Sequence, residues 1–142
     1  MAVDSAHFEE LKEVVSSRSG QSLLDWANEQ EGGVDGVLDQ VFTAMPEVFN
    51  AKKAAGKTAD FQYRIQTPDG LREYFVRVMD GTCEGGRGTV ENPQVTITVK
   101  VPEFLRMVSG KLNGMQAFLT GKVKLNGDMF LATKFETWFD RP

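Results

Sequence analysis

The sequence predicts an α+β fold, in which one mostly antiparallel sheet of about five strands is covered on one face by helices. Two observations support this prediction. Between residues 61 and 99, short runs alternate apolar with polar side chains and are separated by turn residues, which is typical of strands with one buried face. On both sides of this region, apolar residues recur at helical spacing. The 142 residues suffice for one domain with a sizeable core.

Two helices are predicted near the N-terminus, over residues 4–15 and 22–31. Their apolar sides are too large to be left in water, so we expect them to pack on the domain, cover a cavity mouth or meet a second copy. The chain would then consist of a helical extension, residues 1–32, and a main domain, residues 33–142. The apolar residues of the two helices are Phe8, Leu11, Val14, Val15, Leu23, Leu24, Trp26 and Ala27.

The main domain is predicted to open with a helix that begins at Asp35. Pro46 should end or kink this helix and then suit the first turn of a short continuation through Phe49, because proline lacks an N–H and has a fixed φ. The apolar residues of the helix fall on a single face and are Val37, Leu38, Val41, Phe42 and Met45.

The strands predicted in the middle of the chain cover residues 61–65, 74–78, 82–84 and 95–99. Pro68-Asp69-Gly70 is a turn signal, and Asp80-Gly81 is a strong hairpin signal. We expect the third strand to end in a mobile glycine-rich loop, residues 85–88. A helix should then begin at Pro102 and end at Gly110.

The last thirty residues predict a helix, a strand and a second helix. Asn113 can cap the first helix, and the alternation over residues 122–126 indicates a strand with one buried face. Asp128 can cap the second helix. Its apolar residues are Met129, Ala132, Phe135 and Phe139.

The stretch from Gly110 to Phe139 resembles the C-terminal half of the sterol carrier protein 2 (SCP2-like) domain, whose pattern runs roughly G-x-L-N-P-M-Q-A-F-M-S-G-K-L-K-I-K-G-D-x-x-L-A. The match is long and gapless, and it departs at Gly114, Thr120, Asn126 and Phe130. The resemblance implies an apolar cavity between sheet and helices, and a carrier of a fatty acid, fatty acyl-CoA, phospholipid or sterol. The shared residues are Gly110, Leu112, Asn113, Met115, Gln116, Ala117, Phe118, Gly121, Lys122, Lys124, Gly127, Asp128, Leu131 and Ala132.

Few residues in the sequence are suited to catalysis. His7 is the only histidine and lies in the first predicted helix, where nothing places a nucleophile beside it. One cysteine and one histidine do not make a spaced metal-binding cluster. The glycines at 85–88 and Gly121-Lys122 lack the spacing of a phosphate-binding loop. We therefore expect a protein that is not an enzyme and that needs no metal and no cofactor.

Charge and cysteine content bear on partners and location. The net charge of −4 argues against binding to nucleic acid, which depends on neutralising phosphates. It also gives no polybasic address for anionic membranes, so we expect at most transient membrane contact. Cys83 is the only cysteine, which favours a reducing compartment, and we expect the cytoplasm.

The candidate ligand-binding residues form a largely apolar set on the last three helices. Ordinary core packing is the alternative for the apolar members, although methionines suit a surface that adapts to flexible ligands. The resemblance supplies the cavity and implies that Gln116 faces the ligand, whereas a surface or backbone-capping amide is the other interpretation. The candidates are Phe104, Leu105, Val108, Met115, Gln116, Phe118, Leu119, Met129 and Phe130.

Phe130 stands where the family often has a small residue. If its ring points inward, it narrows the cavity and favours flexible acyl chains over rigid sterols. The alternative is that Phe130 and Trp138 together fill the cavity. The chain would then act as an accessory or dimerisation module of a larger enzyme system, with a homodimer as one expected form.

Overall fold

The computed structural model describes residues 13–18, 20–109, 112, 114–135 and 138. Residues 4–12 of the first predicted helix, His7 and the proposed cap Asn113 lie outside the described residues, whereas residues 13–17 are helical. Six further α-helices, a 3₁₀ turn and five strands follow in the described part of the chain. In order they are α1 (Gly20–Glu29), α2 (Gly33–Ala44), the 3₁₀ turn (Met45–Val48), α3 (Ala51–Ala54), β1 (Ala59–Thr67), β2 (Gly70–Met79), β3 (Thr82–Arg87), β4 (Val95–Lys100), α4 (Val101–Val108), α5 (Gly114–Leu119), β5 (Val123–Gly127) and α6 (Met129–Phe135).

The five strands form one sheet in the order β3-β2-β1-β4-β5. The pairs β2–β3, β1–β2 and β4–β5 are antiparallel, and β1–β4 is parallel. A parallel pair cannot be joined by a hairpin, so the chain must cross from β3 at one edge to β4 on the far side of β1. The predicted α+β class with a mostly antiparallel sheet is confirmed.

One face of the sheet, called the inner face, is apolar and covered by helices. The alternation that predicted the strands is visible in their burial, because every second residue is buried against the helices from Ala59 to Ile65 of β1, from Tyr74 to Val78 of β2 and throughout β4. The helices α1, α2 and α4 contribute their own apolar sides to the same core. The inner-face residues are Phe61, Tyr63, Ile65, Tyr74, Val76, Val78, Val95, Ile97, Val99 and Val123.

The prediction of a mobile loop at residues 85–88 is wrong, because β3 continues through Arg87. Gly85 and Gly86 pair with Val76 and Phe75 in the antiparallel ladder. A Cβ atom at Gly85 would lie 2.8 Å from the backbone oxygen of Phe42, so glycine here allows α2 to approach the strand closely. The sequence pattern alone does not distinguish this use of glycine from a turn.

α1 packs against α2 and α4. Leu23 and Ala27 on its inner side are fully buried in the same core as the sheet residues, and Trp26 packs against it in part. The division of the chain at residue 32 stays a prediction. The packing nevertheless places this helix among the elements that cover the inner face.

The outer face of the sheet carries one buried polar side chain, Gln62 of β1. Its Nε2 donates to the backbone oxygens of Tyr74 (2.9 Å) and Gly88 (3.0 Å), and its Oε1 accepts from the backbone N–H of Val90 (2.9 Å). These bonds fasten the start of the β3–β4 crossing to the sheet, so a single amide satisfies three backbone groups.

We expect Gln62→Ala to lower the free energy of unfolding by roughly 2–3 kcal/mol, because the substitution removes three hydrogen bonds to buried and partly buried backbone groups. Gln66→Ala is the matched control, since Gln66 lies on the same face of the same strand but is exposed. Urea unfolding followed by circular dichroism measures both variants. Equal effects of the two substitutions would contradict this role for Gln62.

Candidate functional site

An aromatic cluster fills the inner face beneath α2 and α4. The ring of Phe42 stacks on Tyr74 with centroids 4.4 Å apart and on Phe104 with centroids 5.3 Å apart. Tyr63 meets Phe42 edge-on at 5.2 Å and Phe104 edge-on at 5.6 Å. Such pairs add stability beyond the burial of their area, so this part of the interior is well packed.

The hydroxyl end of Tyr74 emerges from this cluster into a polar network with α2 and β3. It donates to Oδ1 of Asp39 at 2.7 Å, and Arg87 donates through Nε and Nη2 to the two oxygens of the same carboxylate at 2.7 and 2.6 Å. Burial raises the pKa of Tyr74 well above its usual value, and the Asp39 carboxylate adds to the shift. Burial also acts to raise the pKa of Asp39, but the hydrogen bonds from Arg87 and Tyr74 outweigh it and hold that pKa below its usual value. The network therefore keeps a neutral phenol beside a paired carboxylate, which suits a structural clamp.

A second aromatic cluster lies at the other end of β1. The ring of Phe61 contacts that of Phe135 with centroids 3.8 Å apart and meets Trp138 edge-on at 6.3 Å. Trp138 is buried, and its backbone oxygen accepts from the N–H of Asn50 at 2.6 Å. Trp138 is thereby held beside α3, and it belongs to the core as a packing residue.

Eight of the nine predicted ligand-binding residues have described side chains, and these occupy three kinds of environment. Those of α4, namely Phe104, Leu105 and Val108, are buried in the core. Phe118 and Met129 are partly buried. Gln116, Leu119 and Phe130 are exposed, and the side chain of Met115 lies outside the described residues. The structure brings the α4 residues together against the sheet and leaves Leu119 and Phe130 at the surface, while the assignment of a ligand site to this set stays a prediction.

The expectation that Phe130 narrows or fills a cavity is wrong. The side chain is 70% exposed, and the Nζ of Lys134 lies 4.6 Å from its ring centroid. Position 130 falls in the first turn of α6, just after the cap in which the N–H of Leu131 donates to Oδ1 of Asp128 at 3.0 Å. The inward positions of that helix are taken by other residues, including the buried Phe135. The predicted cap at Asp128 is confirmed.

A separate cleft of about 490 Å³ opens between α1, the end of β1 and the start of α4. Its lining mixes apolar, amide and charged groups, and nothing in the sequence pattern singled it out. The buried Oε2 atom of Glu103 has no hydrogen-bond partner. The lining residues are Gly20, Gln21, Leu24, Gln66, Thr67, Pro68, Lys100, Pro102 and Glu103.

The described residues offer little reactive chemistry. Burial, with a smaller contribution from the charge of Glu84, raises the pKa of the Cys83 thiol to about 12, so the thiol stays protonated near neutral pH and is a poor nucleophile. Within the described part of the chain, no group of three histidine, cysteine, aspartate or glutamate residues is arranged to hold a metal ion. In the same part, no helix has the length and apolar character needed to cross a bilayer.

Comparison with known proteins gives a match of residues 38–140 to the model of the SCP-2 sterol transfer family. Human sterol carrier protein 2 is 36% identical over 78 residues, which cover 54% of this chain and 14% of that protein. Hydroxysteroid dehydrogenase-like protein 2 of Bos taurus is 26% identical over 101 residues, which cover 71% of this chain and 24% of that protein. Peroxisomal multifunctional enzyme A of Dictyostelium discoideum is 46% identical over 54 residues, which cover 38% of this chain and 12% of that protein. The chain thus spans less than a quarter of the length of each of these relatives.

Two solved structures support the same fold. The sec-alkylsulfatase Pisa1 from Pseudomonas sp. aligns with a TM-score of 0.66 at 21% identity, over 74% of this chain and 16% of that one. The palmitated SCP2L2 of Aedes aegypti aligns with a TM-score of 0.50 at 26% identity, over 63% of this chain and 85% of that one.

Proposed function

Because the chain belongs to the SCP-2 sterol transfer family, we propose that it is a non-enzymatic carrier that binds a hydrophobic lipid and shields it from water. The observation that supports this most directly is the apolar inner face of the sheet, with incompletely buried apolar residues beside it. Each CH₂ group that leaves water for such a surface gains about 0.8 kcal/mol. A long acyl chain then gains several kcal/mol before the entropic cost of association is subtracted.

We propose that the ligand lies between α4, α5, α6 and the neighbouring strands. Within each of the two aromatic clusters, the one around Phe42 and the one around Phe61, the rings contact one another closely. A ligand that separated these rings would remove stabilising contacts. The apolar residues around β5 pack on the core but are only partly buried, so they can repack around a chain at less cost. These residues are Leu112, Phe118, Leu125, Leu131 and Ala132.

In this arrangement, Phe104, Leu105 and Val108 form the inner wall, and Phe118 and Met129 form the adaptable side. Methionine suits this role because its unbranched thioether fits ligands of varied shape. Met115 and Gln116 remain proposed contacts on the family pattern. Leu119 and Phe130 point away from this wall to the surface, so we leave them out of the proposed site.

The ligand class that we propose first is a fatty acid or fatty acyl-CoA. The related protein that is described as palmitated supports an acyl chain, whereas the family name and human sterol carrier protein 2 support a sterol. Methylene groups look alike to an apolar wall, so we expect loose specificity among chain lengths. The exposed position of Phe130 removes the argument that its ring discriminates against sterols.

The second candidate function is an accessory module of a larger enzyme system. The small share of each relative that the chain matches supports it, since two of these relatives carry the names of a multifunctional enzyme and a dehydrogenase-like protein. In that function the domain would present a substrate to an enzyme partner or assist the assembly of the enzyme system. The domain could do so as a homodimer or as a single copy. A cytoplasmic location stays a prediction, because one relative is named peroxisomal.

Displacement of a fluorescent fatty-acid probe tests the carrier function. We expect saturable probe binding, displacement by palmitate or palmitoyl-CoA, and a roughly tenfold loss of affinity in Phe118→Ala, because the ring supplies much of the adaptable wall. Leu71→Ala is the control, since Leu71 is an exposed apolar residue of β2. Native mass spectrometry of the purified chain identifies any lipid that co-purifies. Absence of saturable binding across fatty acids, acyl-CoAs, phospholipids and sterols would sink the carrier function and favour the accessory module.

A further inference from the structure

The cleft between α1, the end of β1 and the start of α4 opens at the carboxyl ends of two parallel strands. β1 and β4 form the parallel pair of the sheet, and Gln66 near the end of β1 lies beside Lys100 at the end of β4. The α4 helix begins directly after β4. In open α/β sheets, crevices in this position are binding sites. The volume of about 490 Å³ also falls within the range of small-molecule sites.

One wall of this cleft is formed by α1, through Gly20, Gln21 and Leu24. This helix precedes residues 38–140, which match the SCP-2 sterol transfer family. None of the residues that line the cleft belongs to the proposed lipid site. The family match therefore does not specify a ligand for the cleft, and an inference about it goes beyond the proposed function without resting on it.

Two opposite charges line the cleft, and the protein itself does not pair them. Glu103 lies in the first turn of α4, and its buried Oε2 atom has no hydrogen-bond partner. Lys100 is exposed at the end of β4. The arginines of β1, β2 and β3 form ion pairs with acidic residues of the sheet or of α2, whereas Lys100 and Glu103 form none with the residues that the structure describes. A buried acceptor without a donor costs free energy, which a ligand with a cationic N–H group would recover.

The Glu103 carboxylate is within reach of a ligand in the cleft. Its Oε2 atom is covered, but the residue as a whole is partly exposed and contributes to the lining. The terminal torsion of a glutamate side chain is broad, so a modest rotation presents an oxygen to a donor in the cleft at little cost. A cationic donor there would form a charge-assisted hydrogen bond, which is one of the stronger polar contacts.

The rest of the lining adds an amide and apolar surface. Gln66 is exposed beside Lys100, and its side-chain amide can both donate and accept. Leu24, Pro68 and Pro102 supply apolar contacts. A complementary ligand therefore carries a cation, an anion, an amide and an apolar group. A short peptide with free ends has all four.

We infer that this cleft binds a short zwitterionic peptide. The amino group of the peptide contacts Glu103, its carboxylate contacts Lys100, its amide bonds to Gln66, and an apolar side chain lies against Leu24 and Pro102. The polar contacts are partly open to solvent, so binding is weak, with a dissociation constant of about 1 mM. The contact with Glu103 contributes more than the contact with Lys100, because Glu103 is the less exposed of the two.

Titration of the full chain with the dipeptide alanyl-leucine, followed by amide NMR spectra, tests this site. We expect saturable binding that Glu103→Gln weakens about tenfold and Lys100→Gln about threefold, since solvent screens the more exposed pair. Glu84→Gln and Lys57→Gln are the matched controls, because both residues are exposed and neither lines the cleft. Equal losses in the test and control variants would overturn the proposal.

Changes to the dipeptide give a test that does not depend on the folding of any variant. N-acetyl-alanyl-leucine lacks the cationic amine and should bind the unmodified chain about tenfold more weakly than alanyl-leucine does. In Glu103→Gln the two dipeptides should bind alike, because the carboxylate that distinguishes them is gone. If acetylation weakened binding equally in both chains, the amine would not contact Glu103 and the inference would be wrong.

A second zwitterion tests whether the ligand is a peptide. Glycerophosphoethanolamine has both charges but no amide and no apolar side chain, so it should bind at least about fivefold more weakly than alanyl-leucine. Equal or tighter binding would identify a lipid headgroup as the better ligand and overturn the assignment to peptides.

The fluorescent fatty-acid assay keeps this inference apart from the proposed function. Alanyl-leucine should not displace the probe, because the cleft and the proposed lipid site have no residue in common. Displacement would place the dipeptide in the lipid site and contradict the inference. Dipeptide binding without probe binding would refute the carrier function and leave the peptide site standing. Probe binding without saturable dipeptide binding up to about 20 mM would refute the peptide site alone.

Discussion

Gly127→Ala is expected to lower the free energy of unfolding by roughly 3–5 kcal/mol, which is a large part of the stability of a typical domain. Gly127 ends β5 with a φ of +109°, where side chains are strained. A Cβ atom there would also overlap the backbone oxygen of Gln94. That oxygen cannot move freely, because it accepts from the N–H of Asp128 at 2.9 Å.

Gln94 is held on its other side as well, which makes the overlap costly. Its side-chain Oε1 accepts from the N–H of Asp60 at 2.7 Å, and its N–H donates to the oxygen of Asp60 at 2.9 Å. Relief of the overlap would therefore disturb β1, β4 and the start of α6 together.

Gly121→Ala is the control for Gly127→Ala. Its φ is +79° but no atom lies within 4 Å of a Cβ there, so only backbone strain applies and the expected loss is about 1 kcal/mol. Urea unfolding followed by circular dichroism compares the two variants. Similar losses would mean that the close approach at Gln94 relaxes easily and that backbone conformation alone explains the preference for glycine at position 127.

Periodicity was enough to predict most of this fold. The alternation in Phe61, Tyr63 and Ile65 and in Val95, Ile97 and Val99 predicted strands with one buried face, and these residues are buried as expected. Helical spacing likewise predicted α2 and α4. These patterns are reliable because each reports one-sided burial, which is the same physical property that forms the core.

Features that depend on close approach between distant segments were not predictable. In the sequence, Gly85 has the pattern of a loop residue. The structure shows instead that the backbone of α2 packs so close to Gly85 that a Cβ atom would overlap it. Gln62 alternates as an outward polar residue, and only the fold brings Gly88 and Val90 onto it. Phe130 sits in a family motif, but its direction depends on where the first turn of α6 begins, which the family pattern does not fix.

Leu23→Ala is the second large expected effect, at about 2–5 kcal/mol lost from the free energy of unfolding. Leu23 is fully buried, and α1 packs on both α2 and α4, so the substitution should leave a cavity within the core that covers the sheet. Leu24→Ala is the matched control, because the neighbouring leucine loses the same atoms from a partly buried position. We expect it to cost less than half as much, as measured by urea or thermal unfolding.

The same experiment decides whether residues 1–32 are an extension or part of the domain. If α1 completes the core, Leu23→Ala and a chain limited to residues 33–142 should both be strongly destabilised, because apolar surface of α2 and α4 loses its cover. Any loss of ligand affinity in these variants should then follow the loss of stability. If Leu23→Ala costs no more than Leu24→Ala, and the shortened chain unfolds at the same urea concentration as the full chain, α1 is an appended helix. The core that borders the proposed ligand site would then be formed by residues 33–142 alone.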